Sequence, residues 1–485
     1  MSETSLFFYD LETSGLHPES DRIMQFAGQR TDSDLNPVGE PINCLIKLSE
    51  DVLPDPSAVL IHGIPPQQTL SEGLSEAEFL QEFYAKAVLP GTVFVGFNNV
   101  RFDDEFMRFL NYRNLYDPYA WSYLNNVSRW DMLDVARMTR ALRPTGINWP
   151  TKDKNGSSIN RLDLLTAANN LPHANAHDAL ADVLATISFA KLVKTQQPKL
   201  YDYLFQLRLK KNAAKLVNAP LPFIYTSSHY PSAQLHTTVV VKLADHPSLN
   251  CVLVYDLRYD PTPWLNKNGQ ELADAWRYTT KRNPGNPALP IKTLRLNRCP
   301  AVAPLAVLNE TSDLERLQLD MAEVRENAKI LAKADNKFVQ ALIKAVNILN
   351  REQEQRQSSR HVPPDAQLYD GFYSDYDRNL LAQLHLTESP QNIRLFRDKL
   401  RDPRLKQLAS LYLARNYKAS LTAKETQGWT DYLERRLFKG GEASTLAVYF
   451  KRIAELKQQR LDPRSQVLLE DLKLYGESLI PSDIA

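Results

Sequence analysis

Asp10 and Glu12 follow directly on a short apolar run, Leu6-Phe7-Phe8-Tyr9. In a strand, residues i and i+2 point to the same side, so the two carboxylates can face one point. Two hard oxygen donors on one side suit a divalent cation such as Mg²⁺. By itself an acid-x-acid pair is common and reads equally well as a solvated strand end. Two further features add to it. Asp103, in Asn98-Asn99-Val100-Arg101-Phe102-Asp103-Asp104-Glu105, sits just after a strand and at a helix start. His177 stands at a helix entry, and Asp182 follows within that helix's first turns.

The order Asp-x-Glu, Asp, then His-x4-Asp resembles the DEDDh branch of the DnaQ-like 3′→5′ exonuclease superfamily. The segment Phe8 to Gly15 is similar to its first motif. The match goes further. Phe97 to Glu105, Tyr116 to Trp121, Ser128 to Asp131, Ala141 to Pro144, Gly146 to Pro150, Ala190 to Thr195, Asp202 to Phe205 and Asp365 to Phe372 resemble the bacterial exonuclease I family. The resemblance covers essentially the whole chain and is densest in the first ~205 residues. It implies an α/β, RNase H-like exonuclease domain with a mixed sheet and flanking helices, an SH3-like β domain and a C-terminal all-helical domain. It also implies processive 3′→5′ digestion of single-stranded DNA to 5′-mononucleotides with two Mg²⁺ ions, for which Mn²⁺ can substitute.

Two ions about 4 Å apart can supply the nucleophile, neutralise the phosphate and assist the leaving oxygen. On that reading Asp10 bridges both ions, Glu12 and Asp182 complete the first shell, and Asp103 holds the second ion. His177 takes the proton from the attacking water, since imidazole titrates near working pH. Glu12, Arg101, Tyr119 and Trp121 are expected against the DNA. Arg143 and Tyr203 match family positions associated with the acidic C-terminal tail of single-strand-binding protein, for which a basic and aromatic pocket is physically apt.

The elements that must position these residues are legible in outline. Strands are expected over Ile23 to Arg30, Ile42 to Leu48 and Val93 to Phe97, and helices over Asp103 to Tyr112, Asp131 to Leu142, Arg161 to Asn169 and Asp178 to Lys194. Beyond about residue 200 the pattern changes to β-rich runs, Thr237 to Val241, Cys251 to Tyr255 and Ile291 to Leu296, then to helical patterns, especially Ala322 to Leu349. The polar stretch Arg351 to Asp365 reads as a linker closed by Pro363-Pro364. The rest is helix after helix, with stops at Pro390, Pro403, Gly440-Gly441 and Pro463. The expected domains are thus 1–200, 201–350 and 366–485, with 351–365 between the last two.

Composition bounds the alternatives. The chain has 485 residues, 43% hydrophobic and 24% charged, with a net charge of +1. That excludes collagen-like, disordered and disulfide-scaffold classes. No apolar run approaches the roughly 20 residues that span a bilayer. Three scattered cysteines and a non-basic N-terminus lead to the expectation of a reducing, cytoplasmic setting. The net charge conceals a division: residues 1–200 carry −8, 201–360 carry +7 and 361–485 carry +2. The acidic part holds the candidate metal ligands, and the basic part can neutralise phosphates. Aromatics around Tyr112 to Trp130 suit a single-strand channel by stacking on bases. Tyr369, Phe372, Tyr373 and Tyr376 read first as core, and alternatively as a closure over the strand. A monomer is expected, since three domains can enclose a strand without a second copy.

Overall fold

The computed structural model describes residues 5–152, 157–173, 177–277, 287–308, 312–358, 362–439 and 445–480. The chain divides into two compact units: Met1–Ser128 with Ala174–Leu184 and Val362–Ala485, and Arg129–His173 with Ala185–His361.

The first unit is built on β1 (Leu6–Thr13), β2 (Ile23–Thr31) and β3 (Ile42–Leu45), followed by helices α1 (Pro56–His62), α2 (Pro66–Glu72) and α3 (Glu76–Lys86), strand β4 (Val93–Gly96) and α4 (Asp103–Arg113). With β5 (Ser128–Asp131) the sheet order is β3-β2-β1-β4-β5. It is a mixed sheet: β2 pairs antiparallel with β1 and β3, while β4 lies parallel to β1. The period of two sorts β1 into faces. Phe7, Tyr9 and Leu11 enter a core with Phe26, Phe79, Phe83 and Phe94. Asp10 and Glu12 point to the other side. The pairing register slips between Glu12 and Thr13, so the regular ladder ends where the acidic motif ends. Helix α3 is set by a full capping box, Ser75 with Glu78, and lays Phe79, Leu80 and Phe83 on the core.

Residues 362–439 and 445–480 of this unit are mainly helical, and buried ion pairs tie them to the sheet. Arg22, at the entry to β2, donates to Asp365 at 2.9 Å. Arg415 donates to the same Asp365 at 2.6 Å and to Asp51 at 2.7 Å. Arg436 adds a bond to the Asp51 carbonyl at 2.6 Å. Burial alone would push Asp51 and Asp365 up, but Arg415 and Arg22 outweigh it and hold both carboxyls well below the usual range. Arg22 also exchanges backbone and side-chain bonds with Ser14, directly after the acidic motif.

The second unit contains α5 (Met132–Leu142), the short pair β6 (Thr151–Lys152) and β7 (Ser157–Ser158), and α6 (Leu162–Ala168). Helix α7 (Ala179–Gln196) begins in the first unit and ends in this one. A five-stranded sheet follows from β8 (Phe223–Thr226), β9 (Thr237–Asp245), β10 (Cys251–Asp256), β11 (Ile291–Arg295) and β12 (Ala301–Pro304). Its order is β11-β10-β9-β8-β12, antiparallel throughout. It falls where the SH3-like β domain is expected.

Two expectations need correction. The helical pattern over Ala322 to Leu349 is carried by two helices, Met321–Lys333 and Asn336–Ser358, separated where Ala334 turns to extended backbone. The second runs through the first half of the expected linker, because Glu, Gln and Arg are good helix formers whatever their polarity. Likewise Pro390, Pro403 and Pro463 begin helices behind Ser389, Asp402 and Asp462 caps rather than ending them. Gly440-Gly441 lies outside the described residues. Among the described residues no helix is long and apolar enough to cross a membrane.

Removing Arg415 leaves two buried carboxylates short of counter-charge. Arg415→Ala is expected to destabilise the first unit by about 3–5 kcal/mol in urea unfolding. Lys86→Ala, which breaks an exposed pair with Glu82, should cost under about 1 kcal/mol.

Candidate active site

Strand β1, the start of α4 and the start of α7 converge on one acidic site. Carboxylate oxygens of Asp10, Glu12 and Asp182 lie within 4.8 Å of one another. Asp103 is buried at the first position of α4 and acts electrostatically on both Asp10 and Glu12. The Glu12 carboxyl is raised to about 9, chiefly by burial and then by Asp182, Asp103 and Asp178. Asp10 is raised well above its ordinary value by burial, then by Asp103, Asp182 and Glu12. Acids this crowded and this dry are costly to ionise together without a cation. An all-oxygen donor set fits a hard divalent ion, so the residues present match the metal that the motif implies.

His177 is exposed, two residues before α7, with a left-handed backbone at φ 72°. That conformation is uncommon for a residue with a side chain, and such strain gathers at functional sites. Asp178 starts the helical bonding by accepting from the Asp182 amide at 3.0 Å. The fold thus brings Asp10, Glu12, Asp103 and Asp182 together, with His177 just before the helix that carries Asp182.

Other residues were not foreseen. Gln25 lies opposite Glu12 on β2. Its side chain bonds Asn43 at 3.0 Å, reaches Asp178 at 3.4 Å and accepts from the Ala179 amide at 3.4 Å. It thus ties the entry of α7 to the sheet. His62, at the end of α1, lines the same groove as Gln25 and Asp178. Burial holds its imidazole down at about 4, with His177 adding to the effect and a bond to the Thr13 backbone opposing it. Tyr9 and Asp104, each next to a ligand, share a 2.6 Å hydrogen bond. A Gln in a strand or a Tyr before an acid carries no signal in a single sequence.

The expected DNA contacts divide. Arg101 and Tyr119 are half-buried, and the Arg108 guanidinium lies over the Tyr119 ring. Trp121 is a correction. It is 0% exposed and packs edge-on against Tyr9, Phe83 and Phe94, so it cannot stack on a base. Tyr112 and Trp130, from the aromatic stretch read as channel, are buried as well. The reverse holds after residue 365. Phe372 is 90% exposed, Tyr369 56% and Tyr376 41%, so these three are surface, while Tyr373 is half-buried against the helical core. Gly371, at φ 123°, makes the turn that presents Phe372. In the second unit, Arg143 donates to the Val307 carbonyl and pairs with Asp313 at 3.5 Å, while Tyr203 donates to the Val302 carbonyl. Both side chains thus lean on the same short segment.

Family comparisons cover the chain in three parts. An exonuclease family model matches residues 7–190, the exonuclease I SH3-like domain matches 208–347 and the exonuclease I C-terminal domain matches 363–479. Exodeoxyribonuclease I of Escherichia coli K12 is 41% identical over 99% of this chain and 98% of its own length. The chain belongs to the exonuclease I family. An E. coli exonuclease I bound to a dA16 oligonucleotide superposes with a TM-score of 0.92 at 38% identity, covering 99% of this chain and 100% of that one. A zinc-bound E. coli exonuclease I in complex with single-stranded DNA gives 0.88 at 37% identity, with the same coverage. The family is one of metal-dependent exonucleases.

The raised carboxyls predict a pH effect of defined sign. Glu12 binds its proton more tightly folded than unfolded, so the cation-free fold loses stability as pH rises from about 5 to about 9. Thermal melts in EDTA should show that decline. Added Mn²⁺ should raise the melting temperature more at pH 9 than at pH 5, and Glu12→Gln should flatten the EDTA profile.

Proposed function

We propose that this protein hydrolyses single-stranded DNA from its 3′ end, processively, releasing 5′-mononucleotides in the service of DNA repair and recombination. The observation that carries the reading is the cluster of Asp10, Glu12 and Asp182, within 4.8 Å, in a chain that matches exonuclease I from end to end. Mg²⁺ is the proposed cofactor, with Mn²⁺ able to replace it. Asp10, Glu12 and Asp182 would hold one ion, and Asp103 with Asp10 a second. When bound, the ions supply charge neutralisation at the scissile phosphate and lower the pKa of attacking water.

The protein's own groups do the rest. His177 accepts the proton of the attacking water and, being exposed, passes it to solvent. Glu12 also faces the terminal nucleotide. Arg101 supplies positive charge to a phosphate, and Tyr119 a ring to a base. Phe372 and Tyr369 form an exposed aromatic surface beside Tyr119, which suits stacking without sequence preference. The basic charge of residues 201–360 accompanies the backbone. On this reading the segments 1–200, 201–350 and 366–485 act as exonuclease, SH3-like and helical domains of a cytoplasmic monomer. Arg143 and Tyr203 are the proposed contacts for the acidic tail of single-strand-binding protein.

The reading is tested with 3′-labelled single-stranded DNA, duplex DNA and RNA in Mg²⁺ or EDTA. Label should leave single-stranded DNA alone, and EDTA or Asp182→Ala should abolish release. His177→Ala should lower kcat by about 10²–10⁴. Equal attack on duplex or RNA, or activity surviving Asp182→Ala, would reject it. Phe372→Ala should weaken single-strand binding by about 1–3 kcal/mol while leaving kcat at saturating DNA unchanged.

A further inference from the structure

Two metal ligands from different elements need a fixed separation, and backbone pairing does not set it. The parallel register between β1 and β4 runs from Leu6↔Val93 to Phe8↔Val95 and stops two residues short of Asp10. After Gly96 the chain leaves the sheet, turns through a left-handed Asn98 and enters α4 at Asp103. Gly96 permits a close approach there: a Cβ would meet the Tyr9 carbonyl at 3.0 Å and Asn99 at 2.7 Å.

A side-chain bond closes the gap. The Tyr9 hydroxyl donates to Asp104 Oδ1 at 2.6 Å, with both side chains buried. Tyr9 immediately precedes Asp10, and Asp104 immediately follows Asp103. The Tyr9 ring has little freedom. It stacks on Phe26 at 6.1 Å and meets Phe94 and Trp121 edge-on at 5.9 and 6.3 Å. Asp104 is anchored in turn by its amide, which donates to the Asn99 carbonyl at 2.9 Å. A rigid ring thus carries a hydroxyl to a fixed carboxylate, and each partner is covalently adjacent to a ligand.

We propose that Tyr9 and Asp104 are positioning residues that set the separation of Asp10 and Asp103 for divalent-metal binding. The buried Trp121 belongs to this device, since it helps to aim the Tyr9 ring. The inference rests on the metal-dependent reading of the site, and its test includes metal binding without DNA.

Mn²⁺ is titrated calorimetrically into the DNA-free full-length protein, and kcat and KM are measured on single-stranded DNA. Tyr9→Phe keeps the ring and removes one oxygen. It should weaken Mn²⁺ binding or lower kcat by about 10–100-fold, with KM for DNA within about 2-fold. Asp104→Ala should match it, and the double variant should be no worse than either single. Asp104→Asn keeps an acceptor oxygen and should stay within about 3-fold of wild type. Wild-type values in Tyr9→Phe and Asp104→Ala, or an Asp104→Asn as impaired as Asp104→Ala, would overturn the proposal. A wild type that binds Mn²⁺ but leaves DNA intact would reject the nuclease reading alone, and the calorimetric arm would still decide the positioning role. A wild type without Mn²⁺ affinity would overturn both.

Discussion

Mutual repulsion among carboxylates is the constraint that the rest of the first unit answers to. Two like charges about 4–5 Å apart near a protein surface repel by roughly 4 kcal/mol. Asp10, Glu12 and Asp182 have oxygens within 4.8 Å, with Asp103 and Asp178 acting on the same groups. A flexible chain would let them part. Here they are held on three well-packed supports. The aromatic core under Phe7, Tyr9 and Leu11 fixes β1. Gln25 ties the start of α7 to β2, and the bonds of Asn98 and Asn99 with Phe102 and Asp104 set the start of α4. The elevated proton affinity of Glu12 and Asp10 records the cost of that confinement, and a divalent cation is the species that relieves it.

What the sequence disclosed follows from how local each signal is. Asp10 and Glu12 were legible because strand geometry alone puts i and i+2 on one side. Asp182 was legible from its place in the first turns of a helix. Trp121 and Phe372 were misjudged in opposite directions for one reason. A ring suited to stacking on a base is equally suited to a core, and only tertiary packing separates the two. Trp121 fell beneath β1 among Tyr9, Phe83 and Phe94, whereas Gly371 turned Phe372 outward. Tyr9 and Asp104 left no trace at all, because a hydrogen bond across 95 positions has no periodicity to detect. The first half of 351–365 was misread on composition, since polarity marks solvent exposure and not the absence of a helix.

Arg143 and Tyr203 show the same limit in the second unit. Their identities came from resemblance, and the fold adds that both bond to carbonyls of the segment from Val302 to Val307. Each polar end is thereby engaged by backbone, so a ligand there would meet groups already held in place. Preorganisation of that kind lowers the ordering cost of binding.

The buried ionic knot has a consequence for biosynthesis. Arg22 and its partner Asp365 are 343 residues apart, and Arg415 lies 50 residues further on. At roughly 5–20 residues per second, the ribosome releases the β1–β2 hairpin on the order of tens of seconds before its counter-charges exist. Through that interval Arg22 and Asp51 lack the counter-charges that bond them most closely. The order of translation is therefore not the order of completion: the entry to the second strand is among the last parts finished. A nascent chain stalled before residue 365 would carry every carboxylate of the acidic site and still lack Asp365 and Arg415.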